Sequence, residues 1–216
     1  MKESSKSQPY WGELERRVIR GRGIDIGCGP DPVTPEVRRF DLADGDANVI
    51  TRHVTEQFDF VYSSHCLEHM HDPRATILEW WQLVKPGGHL FVVVPDEDLY
   101  EQGVFPSRFN DDHKATFTIS KARSWSPKSV NVWELANRLP RGKIVSLELQ
   151  DHDYDRSLMS FGKFQTNVGI RLLAKLTGLL GLQKRKGVRR LLATYYPLDQ
   201  TDSAQAQIQL IVQKLT

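Results

Sequence analysis

The apolar positions of this chain fall into short runs that predict strands, separated by helical repeats. Near-continuous apolar runs at Gly23–Ile26, Phe58–Ser64 and 89–95 are typical of strands that are buried on both faces of a parallel sheet. Over 74–83 the apolar residues recur at the spacing of one helix face. Strands that alternate with helices in this way predict a doubly wound α/β fold.

Weaker patterns complete the predicted order of elements. Residues 9–20 and 129–139 have the apolar spacing of helices. The remaining predicted strands are 39–42, 48–53, 144–150 and 206–215. We expect the last two strands to pair in antiparallel fashion and to close the sheet, with 151–204 inserted before the final strand as a helical, basic segment.

Composition is typical of a single-domain globular protein. The 216 residues are enough for one α/β domain, and 39% are hydrophobic and 26% charged. The net charge of +2 is too small to indicate a nucleic-acid partner. Two cysteines, Cys28 and Cys66, and an N-terminus without a signal-peptide pattern favour a reducing, cytoplasmic setting. Every apolar run falls short of the roughly 18 residues that a membrane span needs.

Candidate chemistry begins at the turn after the first strand. Gly27 and Gly29 flank Cys28 in this turn, and Asp41 closes a second apolar run twelve residues after Gly29. Glycines let the backbone approach a ligand that a Cβ would block. An acid at the end of the next strand can accept hydrogen bonds from ribose hydroxyls. The pattern therefore predicts a nucleotide site, for either a dinucleotide or S-adenosylmethionine.

The residues after the turn help to decide between these two cofactors. The dinucleotide fingerprint G-x-G-x-x-G has a third glycine and a helix N-terminus that holds a pyrophosphate. Here the third glycine position is Pro32, and Pro30 and Asp31 precede it. Few N–H donors remain, and a carboxylate lies where the pyrophosphate would bind. The sequence therefore argues against NAD.

The middle of the chain carries a family resemblance. The segments FDFVYSSHCLEH (58–69) and LVKPGGHLFVVVP (83–95) resemble the fourth-strand and fifth-strand signatures of class I S-adenosylmethionine-dependent methyltransferases. The resemblance is close over 20–96 and implies a Rossmann-like, doubly wound, seven-stranded sheet in one domain. Through VPDEDLYEQGVFPSRFNDDHKATFT and DQTDSAQAQIQ, the chain is most similar to small methyltransferases encoded beside polysaccharide (O-antigen type) assembly genes.

The resemblance implies S-adenosylmethionine as the cofactor and S-adenosylhomocysteine as the product. The implied cofactor contacts lie where the strands end, at Asp25, Gly27, Cys28, Gly29, Asp41, Leu42, Asp46, Ala47, Ser64, His65 and His69. Asp25 would position the methionine amino group, and Asp41 would bind the ribose hydroxyls. Leu42 would flank the adenine, and its amino edge would meet Asp46 and Ala47.

The segment after the fourth predicted parallel strand has two interpretations. By the resemblance, Ser64 and His65 lie beneath the reactive methyl group, Glu68 is an acid at a helix N-terminus, and His69 braces the turn. The residues from His65 to His69 also spell H-x-x-E-H, an inverted zinc-peptidase motif whose histidines would share a metal on a helix. We see no downstream carboxylate helix that would supply a third ligand, so we expect a site without a metal.

A polar segment at 97–128 is the predicted substrate loop. Methyl transfer to a hydroxyl needs a base, and His113 is the candidate because an imidazole gains and loses a proton near neutral pH. Asp111 or Asp112 would orient this histidine, and Arg108 and Asp112 would hold the acceptor. The alternative interpretation is an ordinary polar surface loop.

These expectations combine into one predicted activity. The chain would transfer a methyl group from S-adenosylmethionine to a hydroxyl of a sugar, a glycan or a glycan precursor. Phe105, Phe109, Phe117 and Trp125 interleave with the polar loop residues, which suits either a sugar face or the anchoring of the loop. N- or C-methylation of a small metabolite, and a non-catalytic cofactor-binding scaffold, remain the alternatives.

Two segments outside the sheet are predicted to cover the site or to dock. Residues 1–20 are predicted as an N-terminal helix and lid, with Tyr10 and Trp11 over the site. Residues 168–190 carry seven Lys and Arg among aliphatic residues. Such a helix can lie on an anionic membrane, grip a partner, or pack on its own sheet with its basic edge in solvent. We expect a cytoplasmic protein in which this helix packs on its own sheet, with a peripheral contact at the inner membrane face or with a partner as the alternative.

Overall fold

A six-stranded sheet is the framework of the protein. The computed structural model describes residues 3–161, 168–182, 185–194 and 197–216. The strands in these ranges are β1 Gly23–Ile26, β2 Arg38–Phe40, β3 Phe58–Ser64, β4 Val84–Pro95, β5 Thr116–Thr118, β6 Ser129–Asn131, β7 Gly142–Gln150 and β8 Gln207–Lys214. The main sheet has the order β2-β1-β3-β4-β8-β7, and β5 pairs with β6 in a separate small sheet.

The strand directions create a binding edge. β1 pairs in parallel with β2 on one side and with β3 on the other, and β3 pairs in parallel with β4. β8 runs antiparallel to both β4 and β7. The chain moves outward from β1 to β2 and then continues on the opposite side at β3, so the strand order reverses between β1 and β3. Ligands of open α/β sheets bind beyond the carboxyl ends of the strands at such a point.

Helices flank the sheet and follow several strands. The α-helices in the described ranges are α1 Glu3–Ser7, α2 Glu13–Val18, α3 Pro73–Gln82, α4 Val132–Asn137, α5 Val168–Leu179 and α6 Lys186–Ala193. Short 3₁₀ helices lie at Gln8–Tyr10, Ala47–Arg52, Leu67–His69 and Arg156–Leu158. The helices α5 and α6 lie between β7 and β8 in the chain, where the sequence predicted a helical insertion.

Apolar side chains pack on both faces of the sheet. Val92 of β4 belongs to one buried cluster with Trp80 of α3. Its neighbour Phe91 belongs to a second cluster with Trp11, on the opposite face. Successive residues of a strand point to opposite faces, so β4 buries both of its sides. This packing explains the unbroken apolar run of β4 and confirms the predicted doubly wound α/β class.

The third predicted strand is wrong, and the main sheet has six strands in the described ranges rather than seven. Residues 48–53 lie mostly within the 3₁₀ helix Ala47–Arg52 instead. The carboxylate of Asp46 accepts a hydrogen bond from the N–H of Asn48 at 2.9 Å, which caps this helix. The indole N–H of Trp80 donates to the carbonyl of Ala47 at 3.0 Å and holds the helix on α3. Capping therefore outweighs the strand propensity of this segment.

Three predicted helices differ from the helices of the structure: one is interrupted, one begins later, and one is divided. The predicted 9–20 helix is interrupted, because the N–H of Gly12 donates to Glu15 at 2.9 Å and starts α2 there. Residues 129–139 begin as β6, and α4 starts only after Asn131 caps it by accepting from Glu134 N–H at 3.0 Å. The predicted basic helix is divided into α5 and α6.

The described helices were also compared with the thickness of a lipid bilayer. In the parts of the chain that the structure describes, every helix is too short or too polar to cross a membrane.

Candidate active site

Two residues of the turn that follows β1 are glycines and have no side chain. Gly27 and Gly29 have φ values of 76° and 52°, in the left-handed region that glycine adopts without strain. A Cβ on Gly27 would lie 2.5 Å from Sγ of Cys66. The N–H of Gly27 donates to the carbonyl of Phe40 at 2.8 Å, which joins the turn to the end of β2. The predicted tight glycine turn is confirmed.

Asp41 connects the end of β2 to the glycine turn. Its Oδ2 accepts a hydrogen bond from the N–H of Gly29 at 2.7 Å, and its Oδ1 accepts from the N–H of Leu42 at 2.8 Å. A carboxylate has about four lone-pair sites, so both oxygens keep capacity for a further donor. The acid is thereby held beside the turn with its charge facing the same cleft.

Two adjoining pockets lie beyond the carboxyl ends of the parallel strands. The first pocket has a volume of about 190 Å³ and includes Asp25 and Ser64 in its lining. The second pocket has a volume of about 450 Å³ and includes Asp41 in its lining. Gly27, His65 and His69 line both pockets, so the two share a wall and form one cleft at the strand-order reversal.

The cleft brings together nearly all of the residues that the sequence singled out. The first pocket is lined by Asp25, Gly27, Cys28, Gly29, Ser64, His65, His69 and His113. The second pocket is lined by Asp41, Leu42, Asp46, Ala47 and Asp112, besides the shared residues. Arg108 is exposed and lines neither pocket, so the structure does not place it with the others.

The second pocket is bordered by an exposed leucine and by a helix cap. Leu42 is 92% exposed at its rim. Asp46 uses Oδ1 to accept hydrogen bonds from both the backbone and the side-chain amide of Asn48, and these bonds hold the pKa of the Asp46 carboxyl below its usual value. Asp46 therefore shapes the pocket wall through the helix that it caps, next to Ala47.

The first pocket contains a buried acid. Burial raises the pKa of Asp25 to about 7, although the N–H of Val33 donates to its Oδ2 at 2.7 Å and opposes that rise. Its Oδ1 has no hydrogen-bond partner within the described ranges, and the same is true of Oγ of Ser64. These two unsatisfied oxygens belong to residues that line the pocket, which makes it suited to a ligand that donates hydrogen bonds.

His113 is buried and anchored by a carboxylate. Its Nδ1 lies 2.7 Å from Oε1 of Glu101, and because a carboxylate only accepts, Nδ1 carries the proton. Tyr100 stacks on the imidazole with ring centroids 5.1 Å apart. In the neutral imidazole the lone pair is then on Nε2, which lies 4.0 Å from Oε1 of Glu68. The prediction that Asp111 or Asp112 orients His113 is wrong, because Glu101 holds it.

Asp112 interacts with a different histidine. Its Oδ2 lies 2.9 Å from Nδ1 of His69, and its Oδ1 accepts from Lys114 at 3.1 Å. The lysine also donates to the carbonyl of His69 at 2.8 Å. The loop and the turn after β3 are therefore connected through both residues, and Asp112 lies at the edge of the second pocket.

Glu68 lies at the centre of the histidines. Burial raises the pKa of its carboxyl, but the neighbouring histidines outweigh this effect and leave the pKa below its usual value. Nδ1 of His65 is 3.4 Å from Oε1 of Glu68, and Nε2 of His65 is 3.7 Å from Glu3. Burial lowers the pKa of His65, yet its carboxylate neighbours and Gln207 raise it overall. One imidazole is thus shared between two carboxylates.

The N-terminal segment lines the first pocket, but through residues other than those predicted. Glu3 and Ser4 of α1 line the pocket, and the N–H of Ser5 donates to Asp31 at 2.8 Å. Tyr10 stacks on His152 with ring centroids 4.2 Å apart, away from the pocket lining, and Trp11 packs in the core. The expected position of Tyr10 and Trp11 over the site is therefore wrong, and α1 lies there.

The loop aromatics mostly anchor the loop. Phe117 is wholly buried, Phe109 packs against Tyr100, and the indole of Trp125 donates to Asp98 at 3.0 Å. Tyr100 is the aromatic residue of this segment that lines the first pocket. Of the two meanings that the sequence left open, anchoring is the one that these contacts support.

Sequence reasoning missed the carboxylates that surround the histidines. Glu101 precedes His113 by twelve residues, and no short-range spacing connects them. Glu3 lies in a polar N-terminus without a recognisable pattern. Glu68 was read as an acid at a helix N-terminus, although its place in the H-x-x-E-H string was the one available signal of a cluster.

The chain was compared with known protein families and structures. The profile of the family described as "Methyltransferase domain" matches residues 12–151. In sequence, no curated protein matches at a significant level. The complex of the Haloferax volcanii Trm112 methyltransferase activator with a protein assigned as a methyltransferase matches with a TM-score of 0.50 and 11% identity, over 100% of this chain and 90% of that chain. This match shows a shared fold.

Two further structures are similar at lower scores. A SAM-dependent methyltransferase from Archaeoglobus fulgidus matches with a TM-score of 0.49 and 13% identity, over 98% of this chain and 92% of that one. A phosphoethanolamine N-methyltransferase from Haemonchus contortus, in complex with phosphomonomethylethanolamine and S-adenosylhomocysteine, matches with a TM-score of 0.47 and 11% identity, over 94% of this chain and 52% of that one.

Proposed function

This chain belongs to the methyltransferase domain family, and we propose that it methylates a hydroxyl of a sugar, a glycan or a glycan precursor. The enzyme is an S-adenosylmethionine-dependent methyltransferase, and S-adenosylhomocysteine is the product. The acceptor is the part that we infer, because fold and cofactor do not name an acceptor.

The cleft fits this cofactor in charge and in shape. The unpartnered Oδ1 of Asp25, judged over the described residues, suits the amino group of the methionine end. The bare turn at Gly27 leaves room for a ligand against the backbone. Asp41 has lone pairs available for ribose hydroxyls beside the second pocket. We assign the adenine end to the second pocket, between Leu42 and the 3₁₀ helix that begins at Ala47.

Methyl transfer to a hydroxyl requires an activated oxygen. Bound S-adenosylmethionine supplies a methyl group on a positively charged sulfur, so the carbon–sulfur bond breaks as the carbon–oxygen bond forms and the hydroxyl proton is lost. Ser64 and His65 lie at the end of β3 where the two pockets meet, which is the position that we assign to the reacting methyl group. The acceptor would occupy the remaining part of the first pocket.

The geometry of His113 is the observation that supports an oxygen atom as the methyl acceptor. The contact of Nδ1 with Glu101 orients Nε2 toward Glu68 at the pocket, and in the neutral imidazole this nitrogen has the lone pair. An amine nucleophile has its own lone pair and needs little help, whereas a hydroxyl needs a group that removes or weakens its proton. A buried histidine held by a buried carboxylate supports the second kind of acceptor.

Transfer of labelled methyl groups tests this proposal. Purified protein and S-adenosylmethionine are incubated with sugars, nucleotide sugars and glycan precursors in one panel, and with small amines in another. We expect turnover in the first panel, and a fall in kcat of about 10²–10⁴-fold in His113→Ala with S-adenosylhomocysteine affinity retained. The matched control is His152→Ala, at an exposed histidine that lines neither pocket. Turnover with amines only, unchanged in His113→Ala, would contradict the proposal.

We also propose a peripheral contact between α5 and an anionic lipid surface. Five leucines of α5 and the following turn are exposed: Leu172, Leu173, Leu176, Leu179 and Leu180. Their spacing places them along one side of the helix. Lys175 on the same helix and Arg185 before α6 are exposed as well. Exposed apolar area next to basic side chains is the pattern of helices that lie in a membrane interface.

A further inference from the structure

A cluster of potential metal ligands lies in the first pocket. Glu68, His69 and His113 each offer one donor atom, and these atoms all lie within 4.8 Å of one another. All three residues line the first pocket. Glu68 and His113 are buried, and His69 is partly exposed. The cluster therefore combines protected ligands with an opening to the acceptor side of the cleft.

The buried carboxylate of Glu68 has imidazole neighbours but no direct hydrogen bond within the described ranges. The side chain is 0% exposed, and neither oxygen has a hydrogen bond to any residue in the described ranges. The nearest nitrogens, Nδ1 of His65 at 3.4 Å and Nε2 of His113 at 4.0 Å, are close but make no hydrogen bond with it. A buried carboxylate normally has a cation or hydrogen-bond donors around it. Here the neighbours are imidazoles at ion-pair distance, and both oxygens face the pocket without a direct hydrogen bond from the described residues.

The first pocket contains further carboxylates beside Glu68. Besides Glu68, its lining includes the carboxylates Glu3, Asp25 and Asp31 and no lysine or arginine from the described chain. Nε2 of His65 lies 3.0 Å from Oε1 of Gln207, so His65 donates there and is also shared with Glu3. Glu3 also has an ion pair with Lys6 at 2.8 Å, and Asp31 accepts from the N–H of Ser5 at 2.8 Å. Because Asp25 is assigned to the cofactor, Glu68 is the carboxylate of this set that a cation in the pocket would bind.

Both histidines of the cluster are held in the manner of metal ligands. Nδ1 of His113 contacts Glu101 at 2.7 Å, and Nδ1 of His69 contacts Asp112 at 2.9 Å. A histidine that binds a metal usually donates its other ring N–H to a carboxylate or a carbonyl, which orients the ring and fixes the tautomer. In both rings Nδ1 is occupied in this way, so Nε2 of each is the nitrogen available to an ion.

The local backbone decides which residues of the H-x-x-E-H string come together. The 3₁₀ helix begins only at Leu67, and His65 before it has a φ of 52°, so the string is not one continuous helix. His65 lies 3.4 Å from Glu68, and the helical pair of histidines at i and i+4 that the zinc-peptidase motif requires is not formed. The third member of the cluster comes instead from His113 in the 97–128 segment.

We propose that Glu68, His69 and His113 bind one divalent cation of the zinc and manganese group, with open coordination positions toward the acceptor. Two imidazoles and one carboxylate suit borderline ions such as Zn²⁺, Mn²⁺ and Co²⁺ better than Mg²⁺ or Ca²⁺, which prefer oxygen ligands. Ligand atoms on a tetrahedral zinc lie roughly 3.3 Å apart. The side chains would therefore close inward by about 1 Å when the ion binds.

The ion would give His113 its part in the reaction. This role rests on the proposed methylation of a hydroxyl, whereas the binding of the ion does not. A metal-bound hydroxyl ionises at lower pH than a free one. The acceptor oxygen would coordinate at an open position, release its proton to water in the pocket, and form the new bond to the methyl carbon. His113 would then activate the acceptor through the ion that it holds.

Metal titration of the purified full chain, after treatment with a chelator, tests the site without cofactor or acceptor. We expect one equivalent of Zn²⁺ to bind with a dissociation constant in the micromolar range or tighter, and Co²⁺ to give the visible spectrum of a site with nitrogen ligands. Mg²⁺ should bind at least 100-fold more weakly. Glu68→Gln and His69→Ala should each weaken Zn²⁺ binding by about 100-fold, and His152→Ala, at an exposed histidine outside both pockets, should leave it unchanged.

Thermal unfolding separates loss of the site from loss of the fold. Zn²⁺ should raise the melting temperature of the wild type and leave that of a folded Glu68→Gln variant unchanged. Equal binding of Zn²⁺ by the wild type, Glu68→Gln and His69→Ala, or no saturable binding of Zn²⁺, Mn²⁺ or Co²⁺, would overturn the proposal. Those results would leave the methylation proposal standing. Metal binding without turnover of any hydroxyl acceptor would instead count against the methylation proposal.

Discussion

The N–H of Gly29 donates to Oδ2 of Asp41 at 2.7 Å, so the acid after β2 holds the turn after β1. One side chain thereby fixes the spacing between the two parts of the cleft, and it also faces the position that we assign to the ribose. Its removal should affect the shape of the turn and the contacts of the ligand together.

Asp41→Ala should weaken the binding of S-adenosylhomocysteine. The variant loses the bond to Gly29 and the expected bonds to the ribose, and hydrogen bonds to a charged group contribute about 1.5–3 kcal/mol each. We expect at least a 30-fold rise in Kd by calorimetric titration. Asp202→Ala, an exposed aspartate outside both pockets, is the control. Equal affinity of Asp41→Ala and the wild type would show that Asp41 does not bind the ligand.

Binding of S-adenosylhomocysteine should become tighter as pH rises through 7. Burial raises the pKa of Asp25 to about 7, so the carboxyl is largely protonated below that pH and must lose its proton to pair with the amino group of the ligand. We expect roughly tenfold weaker binding at pH 6 than at pH 8. Calorimetry at several pH values measures this slope, and Asp25→Asn should flatten it. If the affinity of Asp25→Asn depends on pH as strongly as that of the wild type, another group causes the pH dependence.

The same acid should affect the stability of the ligand-free protein. The pKa of Asp25 is higher in the folded chain than in the unfolded chain, so folding favours the protonated form. The contribution of Asp25 to the free energy of unfolding is constant below about pH 4. It falls as the pH rises from about 4 to about 7, and it is constant again above about pH 7. Denaturant unfolding of the wild type and Asp25→Asn over this range should show the difference. A constant difference between the two proteins would contradict it.

Gly27→Ala should destabilise the protein. The residue has a φ of 76°, and an added Cβ would lie 2.5 Å from Sγ of Cys66. Backbone strain and overpacking together should lower the free energy of unfolding by about 2–4 kcal/mol. Gly187→Ala in α6 is the matched control, because nothing lies within 4 Å of its added Cβ, and it should be neutral or slightly stabilising. Equal stability of the two variants would contradict the close contact.

Glu101→Gln should reduce turnover without loss of the cofactor. The amide can still accept from Nδ1 of His113 but carries no charge, so the ring stays in place and its Nε2 becomes a weaker ligand. We expect kcat to fall by about 10–100-fold and Zn²⁺ affinity to fall in proportion. The affinity for S-adenosylhomocysteine should not change. A loss of cofactor affinity as large as the loss of kcat would indicate a structural role.

The exposed leucines of α5 should retain the protein on anionic vesicles. We expect flotation with phosphatidylserine vesicles at low salt, weaker flotation at high salt, and none with neutral vesicles. Replacement of Leu176 and Leu179 by serine should abolish it. Replacement of the exposed Trp133 by serine is the control. No retention of the wild type at low salt would rule out the lipid contact.

The parts of the fold that the sequence predicts are those encoded by local pattern. The apolar runs of β3 and β4 predict buried parallel strands, and two glycines predict the turn after β1. The segment 48–53 was misread as a strand because one cap, from Asp46 to Asn48 N–H, outweighs its strand propensity. Trp11 was misplaced because its position in the core depends on contacts with Phe91, which lies 80 residues away in the chain.

Strand periodicity, glycine turns and terminal acids act over a few residues, so the amino-acid sequence is enough to predict the α/β class, the family and the approximate position of the candidate cleft. Folding determines that Glu101, rather than Asp112, holds His113. It also places the Glu68 carboxylate between His65 and His113 without a hydrogen bond from the described residues. These relationships join a turn after β3 to a loop after β4. Their partners are chosen by the packing of the sheet edge, and no spacing along the chain encodes that choice.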